Sequence, residues 1–155
     1  MISLRIGQGE LEYLKLSVHR PLLPAYLEGG SFDYWSHNWI RTTVEVRAGA
    51  FEGRYQTDLH RVEFEELREE LPKLYSFEIH EMKFSAMEGQ LGIEITGDRR
   101  GNFEVCCKAS DCSDGNCLDF RLGFDQTQIP RMIHELDAIL AAYPLRGKRP
   151  PTGSK

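Results

Sequence analysis

Four cysteines within twelve residues are the first candidates for chemistry, because clustered thiols bind zinc or pair as disulfides; they are Cys106, Cys107, Cys112 and Cys117. The first two are adjacent on a predicted strand, so their side chains point to opposite faces and cannot both reach one metal. If the hairpin turns around Asp114, Cys117 lies opposite Ser110, and Cys107 lies roughly 10 Å further along. In this register only Cys112 and Cys117 are close enough to pair. We predict reduced, partly buried thiols and no metal site.

Histidines, serines and glycines are the next candidates, and they form no catalytic motif. The histidines are scattered, at His19, His37, His60, His80 and His134. His134-Glu135 does not open a zinc-protease H-E-x-x-H, because residue 138 is alanine. The sequence contains neither the G-x-S-x-G motif of a serine nucleophile nor a glycine-rich phosphate-binding loop. We predict a protein without catalytic residues or a cofactor.

Acidic residues are concentrated in one predicted helix, which carries Glu63, Glu65, Glu66, Glu69 and Glu70 against Arg61 and Arg68. One interpretation is an ordinary solvated helix face. The other is a docking surface for a basic protein, since an acidic patch accelerates association with a basic partner. Glu63, Glu66 and Glu70 are spaced by three and four residues and therefore share one face. These three are candidate partner contacts.

An aromatic segment at residues 33–40 is the second candidate surface. Tyr34 and Trp35 are residue types that anchor interfaces, and they equally seal loops against sheets. Trp39 begins a predicted strand, so we expect it in the core. Tyr34 and Trp35 are therefore also candidate partner contacts.

The elements that position these residues follow from hydrophobic periodicity. Helical spacing predicts one helix at about 61–75, kinked near Leu71 by Pro72, and another at about 127–143, capped by Thr127, with Ile133, Leu136 and Leu140 buried. Alternating segments predict strands at 11–18, 39–46, 51–57, 77–87, 89–97, 101–110 and 117–124. Short turns join neighbouring strands, which favours a mostly antiparallel sheet of about six to seven strands. With both helices on one face, this is an α+β fold.

Composition is consistent with one soluble domain. The chain has 155 residues, with 24 acidic and 19 basic ones, for a formal charge of −5. We predict a single domain over 1–146 and a flexible basic tail over 147–155. The acidic balance argues against general nucleic-acid binding. We expect no membrane association and no secretory signal, and therefore a cytoplasmic protein.

Several ordered motifs together resemble the WapI family of immunity proteins. They include Asp33-Tyr34-Trp35 with Asn38-Trp39-Ile40, the G-x-F-x-G-x-Y pattern of Gly49 to Tyr55, the F-x-x-L-x-x-x-L pattern of the acidic helix, Phe124 to Thr127 with Ile129-Pro130, and Tyr143 to Gly147. The resemblance covers roughly residues 11–147 and leaves out the cysteines and the tail. It implies a cytoplasmic protein that binds the toxin domain delivered by sibling bacteria and blocks it without catalysis.

Some toxins of this kind are nucleases, and an acidic protein suits the basic cleft of a nuclease. The alternative hypothesis is a small-molecule-binding protein or enzyme with a pocket between the sheet and the 21–38 loop. We expect a monomer or a weak homodimer.

Overall fold

The computed structural model describes residues 2–23, 32–112 and 114–151, whose strands form two four-stranded antiparallel sheets. The chain order is β1 (Ile2–Ile6), β2 (Glu12–Pro21), α1 (Tyr34–His37), β3 (Trp39–Ala48), β4 (Phe51–His60), α2 (Arg61–Tyr75), β5 (Glu81–Ser85), β6 (Leu91–Gly97), β7 (Asn102–Ser110), β8 (Cys117–Asp125), a 3₁₀ helix (Gln126–Gln128) and α3 (Ile129–Ala142). The predicted α+β class with antiparallel strands is confirmed.

The first sheet has the strand order β1-β2-β3-β4, and each strand pairs with its neighbour in the chain. Leu4, Leu16 and Val44 lie opposite one another in register and are fully buried. The residues between them on each strand face the other side of the sheet, because side chains alternate along a strand. β1, a strand of only five residues, was not predicted from the sequence.

The second sheet has the order β5-β6-β7-β8. Phe84, Ile93, Cys107 and Phe120 form one buried row across it. The prediction of one sheet of six to seven strands is wrong in this respect, since eight strands in the described part divide four and four. α2 separates the two sets along the chain, so β5 pairs with β6 and not with β4.

The two long helices lie against each other, with α3 also against β1 and α2 also against β5. Four side chains of α3 are buried: Ile129, Met132, Leu136 and Ile139. Of the three predicted core residues of this helix, Leu136 is buried, whereas Ile133 and Leu140 are only partly buried. No helix in the described part of the chain is long and apolar enough to cross a membrane.

α2 has the predicted bounds, whereas α3 begins later than predicted. Pro72 does not end α2 early, and the helix runs to Tyr75, because a proline in the last turn removes only one intrahelical hydrogen bond. Phe77 then adopts a φ of 60°, and the next strand begins only at Glu81 instead of at residue 77. Thr127 does not cap α3. It lies in the 3₁₀ helix, where its N–H donates to Asp125 (2.9 Å), and α3 begins at Ile129 with Pro130 in its first turn.

Candidate binding surface

The short helix α1 holds the aromatic segment in place. The carboxylate of Asp33 accepts a hydrogen bond from the N–H of Ser36 (2.8 Å) and caps the helix. Hydrogen bonds from Ser36 hold the pKa of this exposed carboxyl below its ordinary value. Tyr34 is buried, and the ring of Trp35, 37% exposed, contacts it edge-on with centroids 4.8 Å apart. Of the two predicted aromatic contacts, only Trp35 therefore presents its ring to solvent.

His60 joins this aromatic segment to α2. It is fully buried, and its ring contacts the rings of Tyr34, Trp35 and Trp39 at 5.2–5.3 Å between centroids. Its Nδ1 accepts from the N–H of Val62 (3.2 Å), so Nε2 carries the proton and donates to the carbonyl of Tyr34 (3.1 Å). Burial lowers the pKa of His60 below its ordinary value. Trp39, expected in the core, is half-buried against this ring.

Glu63 does not lie on an exposed face, contrary to the sequence prediction. Its side chain is 2% exposed, and its two oxygens accept from the N–H of His60 and the N–H of Met87, both at 2.7 Å. Burial, with Glu66 and Glu88 nearby, raises the pKa of Glu63 to about 7, while the two N–H groups act in the opposite direction. Glu63 therefore ties the start of α2 to the turn between β5 and β6, and it cannot contact a partner directly.

The other acidic residues of α2 do face outward. Glu66 and Glu69 are exposed, and the half-exposed Glu70 forms an ion pair with Lys73 at 3.1 Å. Glu65 pairs with Arg61 and, at 3.3 Å, with Arg149. At 1.5 Å per residue, Glu70 lies about 15 Å along the helix from His60. Trp35 and the outward carboxylates of α2 thus form one candidate surface, which we call the acidic-helix surface.

The C-terminal segment closes one side of this surface. The side chain of Asn38 bonds the backbone of Arg146 in both directions, at 2.8 and 2.9 Å. Gly147 has a φ of 72°, and a Cβ there would meet the carbonyl oxygen of Phe32 at 2.6 Å. Arg146 therefore contacts the aromatic segment, and Arg149 contacts α2 through Glu65. Residues 152–155 of the predicted tail lie outside the described part of the chain.

A small cavity lies beside the aromatic segment, near the place of the alternative small-molecule pocket. It has a volume of about 190 Å³, and its lining includes Asn38, Trp39, Arg61, Tyr143 and Arg146. Small-molecule sites are usually larger, about 300–1,000 Å³. Its two cations are engaged by backbone carbonyls: Arg61 donates to Tyr143 (2.6 Å) and Arg146 to Leu23 (2.9 Å). Residues 24–31 of the 21–38 loop lie outside the described residues.

The cysteines lie on β7 and β8 of the second sheet and, for Cys112, in the turn between these strands, and all four are free thiols. The predicted hairpin register is confirmed, with Ser110 opposite Cys117 and their side chains 3.1 Å apart. Cys106 is exposed and Cys107 is buried, as expected for adjacent strand residues, and burial raises the pKa of Cys107 to about 12. Among the described residues, no group of three or more His, Cys, Asp or Glu side chains could hold a metal ion.

We predict that protein purified without chelator carries no stoichiometric zinc. Cys106 and Cys107 face opposite sides of the sheet, so the four thiols cannot converge on one ion. Elemental analysis of the purified protein measures this directly. One zinc per chain would contradict the prediction and turn residues 106–117 into a genuine site.

His60 is the site residue that sequence reasoning missed. It is the N-cap of α2 and forms a capping box with Glu63. The three-residue spacing of the two residues is visible in the sequence. Histidine is an unusual residue at this position, and so the pattern was not recognised.

A family comparison decides where the chain belongs. The model of the "Immunity protein WapI-like family" matches residues 5–144, which is most of the chain. The protein is a member of the WapI-like immunity protein family. The resemblance noted in the sequence is thereby confirmed. No curated protein matches this WapI-like chain.

Solved structures show likeness of fold to this WapI-like protein at low identity. WHY3 from Arabidopsis thaliana is 12% identical with a TM-score of 0.51, over 92% of this chain and 88% of that one. WHY1 from the same plant is 12% identical with a TM-score of 0.49, over 93% and 85%. A chain of trypanosome MRP1/MRP2 is 9% identical with a TM-score of 0.47, over 90% and 84%. At such identities, the likeness concerns the fold alone.

Proposed function

We propose that this protein binds the toxin domain of a cognate toxin and neutralises it without catalysing a reaction. Membership of the WapI-like immunity family is the observation that carries the proposal. We infer that it acts in the cytoplasm of the bacterium that makes the toxin, where an incoming toxin domain would reach its target. Binding of this kind needs a complementary surface and neither a cofactor nor a converging set of catalytic groups.

We propose the acidic-helix surface as the place of contact. Glu66, Glu69 and Glu70 give it negative charge, and Trp35 adds an aromatic residue that is still 37% exposed. Tryptophan is enriched among the residues that dominate binding energy, and surrounding charges mainly set the association rate. This combination suits a toxin domain with a basic surface, such as a nuclease whose cleft binds phosphates. The chain's net charge of −5 favours the same partner.

Reversing Glu66 and Glu70 to lysine is expected to slow association with the toxin domain about tenfold or more at low salt. The two carboxylates are four residues apart on one face of α2, so both changes act on the same surface. Raising the salt concentration is expected to weaken the wild-type complex and to narrow the difference between the two proteins. The measurement is a binding titration with association kinetics, at low and at high ionic strength. The binding partner is a purified toxin domain, sought first in the neighbouring upstream gene.

The matched control is Glu10→Lys with Glu12→Lys, which changes the net charge equally at two exposed residues, one in the turn before β2 and one at the start of β2. A thermal melt checks the fold, which exposed charge reversals should leave intact. Equal association of all three proteins at low salt would remove α2 from the interface and leave Trp35 as the anchor to test. Failure of the wild-type protein to bind or inhibit the neighbouring toxin domain would contradict the proposed function itself.

A further inference from the structure

β4 is an edge strand of the first sheet, and its free edge can be identified residue by residue. The carbonyl of Asp58 accepts from the side chain of Gln90 (2.9 Å), so it points away from β3. The N–H and C=O groups of one strand residue point to the same side, and this side alternates along the strand. No register shift interrupts the pairing of β3 with β4. The backbone groups of Glu52, Arg54 and Gln56 therefore also face outward.

The opposite edge of the same sheet is covered. On β1, the N–H of Arg5 donates to Glu135 (2.9 Å), and the carbonyl of Arg5 accepts from Arg131 (3.0 Å). On β4, in contrast, no hydrogen bond within the described residues ends on the outward backbone groups of Glu52, Arg54 or Gln56. The uncovered part of this edge strand, from Glu52 to Gln56, is a template for pairing with another strand.

The segment Phe51-Glu52-Gly53-Arg54-Tyr55 is complementary to itself when two copies run antiparallel. With Gly53 opposite Gly53, each Glu52 lies opposite an Arg54, and each Phe51 opposite a Tyr55. Opposite charges and aromatic pairs are both favourable directly across a pair of strands. Glu52 and Arg54 are also the residues whose backbone groups face outward, so this register makes two hydrogen bonds for each Glu52–Arg54 pair.

We propose that the protein forms a homodimer by pairing β4 with β4 of a second copy, about a twofold axis at Gly53. The two first sheets then become one continuous sheet of eight strands. The two adjacent registers are unfavourable, because one places Arg54 opposite Arg54 and the other places Glu52 opposite Glu52. The charges at this edge therefore select one register, whereas a row of like charges would repel a second copy.

The surroundings of the edge fit this arrangement. Phe51 is 65% exposed, and pairing would cover part of it. The partner's turn at Ala48-Gly49-Ala50 would lie beside Gln56 to Asp58, where a groove of about 430 Å³ also borders Gln90 and Asp111. Gly53 lies eight strand residues before α2, roughly 25 Å away. The acidic-helix surface therefore stays accessible in the dimer, so dimerisation and toxin binding are separate properties.

Sedimentation equilibrium over about 1 µM to 1 mM protein tests the dimer. The wide concentration range is needed because two paired strands form a small interface, and small interfaces bind weakly. The variants are Glu52→Arg, Arg54→Glu and the double charge swap. Each single change places like charges opposite each other at both pairs of residues 52 and 54 in the dimer. It is therefore expected to raise the dissociation constant of the dimer at least about tenfold. The double swap restores opposite charges and is expected to return to within about threefold of wild type.

Arg121→Glu is the control, since it changes an exposed charge on β8, the edge strand of the second sheet, and is expected to leave the dissociation constant unchanged. Thermal melts of each variant check the fold. A wild-type protein that stays monomeric over the whole range would overturn the proposal. So would a dimer that both single variants leave intact, or one that the double swap fails to restore.

Discussion

Leu136→Ala is expected to lower the free energy of unfolding by roughly 2–5 kcal/mol. Leu136 is fully buried on α3, which lies between β1 and α2. Truncation removes apolar contacts and leaves a cavity that the surrounding strand and helix can fill only in part. Because the core is one continuous cluster that includes both sheets and both long helices, we expect the loss to appear in a single unfolding transition.

Urea denaturation of wild type and variant, followed by circular dichroism, measures this loss. His134→Ala is the matched control, because His134 is exposed on the same helix, and its change is expected to stay within about 0.5 kcal/mol. If Leu136→Ala also changed stability by no more than that amount, α3 would be peripheral to the core.

The elements that were predicted correctly have a regular hydrophobic periodicity or a clear turn signal. The apolar spacing from Ile129 onward identified α3, and Pro130 marked its first turn. The turn at Gly49, with a φ of 63°, identified the hairpin of β3 and β4. In both cases, neighbouring residues determine the conformation, so a local pattern is sufficient evidence.

Tertiary arrangement accounts for the errors. Local spacing does not say which strands share a sheet, and α2 divides them into two sets of four. The five-residue β1 is held by pairing with β2 and by α3, neither of which is visible in its own short sequence. Pro72 was expected to kink α2. It lies in the last turn, before the predicted and observed end at Tyr75, where a proline removes only one intrahelical hydrogen bond and the helix continues.

The candidate site shows the same difference between what local spacing predicts and what tertiary packing determines. Helical spacing grouped Glu63 with Glu66 and Glu70, but burial differs along the helix because the turn at Met87 covers only the first of them. The charged face and the aromatic segment were predicted as two alternatives. The structure joins them through His60, whose ring contacts Trp35 and whose Nδ1 caps α2. The outward residues are thus held in place by a buried pair, His60 and Glu63.

Glu63 is expected to make stability depend on pH between about 4.5 and 7. Its pKa is raised from 4.5 to about 7 in the folded chain, chiefly by burial. Within this window the folded chain keeps a proton that the unfolded chain has released, so the contribution of Glu63 to stability falls as the pH rises. A shift of this size corresponds to about 3 kcal/mol at full effect. Above pH 7 the contribution is constant.

Glu63→Gln isolates this effect, because glutamine fills the same space and does not titrate. Urea denaturation at about pH 5 and about pH 8 gives the unfolding free energy of both proteins, and wild type is expected to lose about 3 kcal/mol relative to the variant between them. Buried His60, with its lowered pKa, destabilises the fold at acid pH in both proteins, so its contribution largely cancels in the difference. Glu69→Gln, at an exposed position of the same helix, is the control and should track wild type. Parallel pH curves for wild type and Glu63→Gln would show that Glu63 ionises normally. The two N–H groups of His60 and Met87 would then outweigh burial in setting its charge.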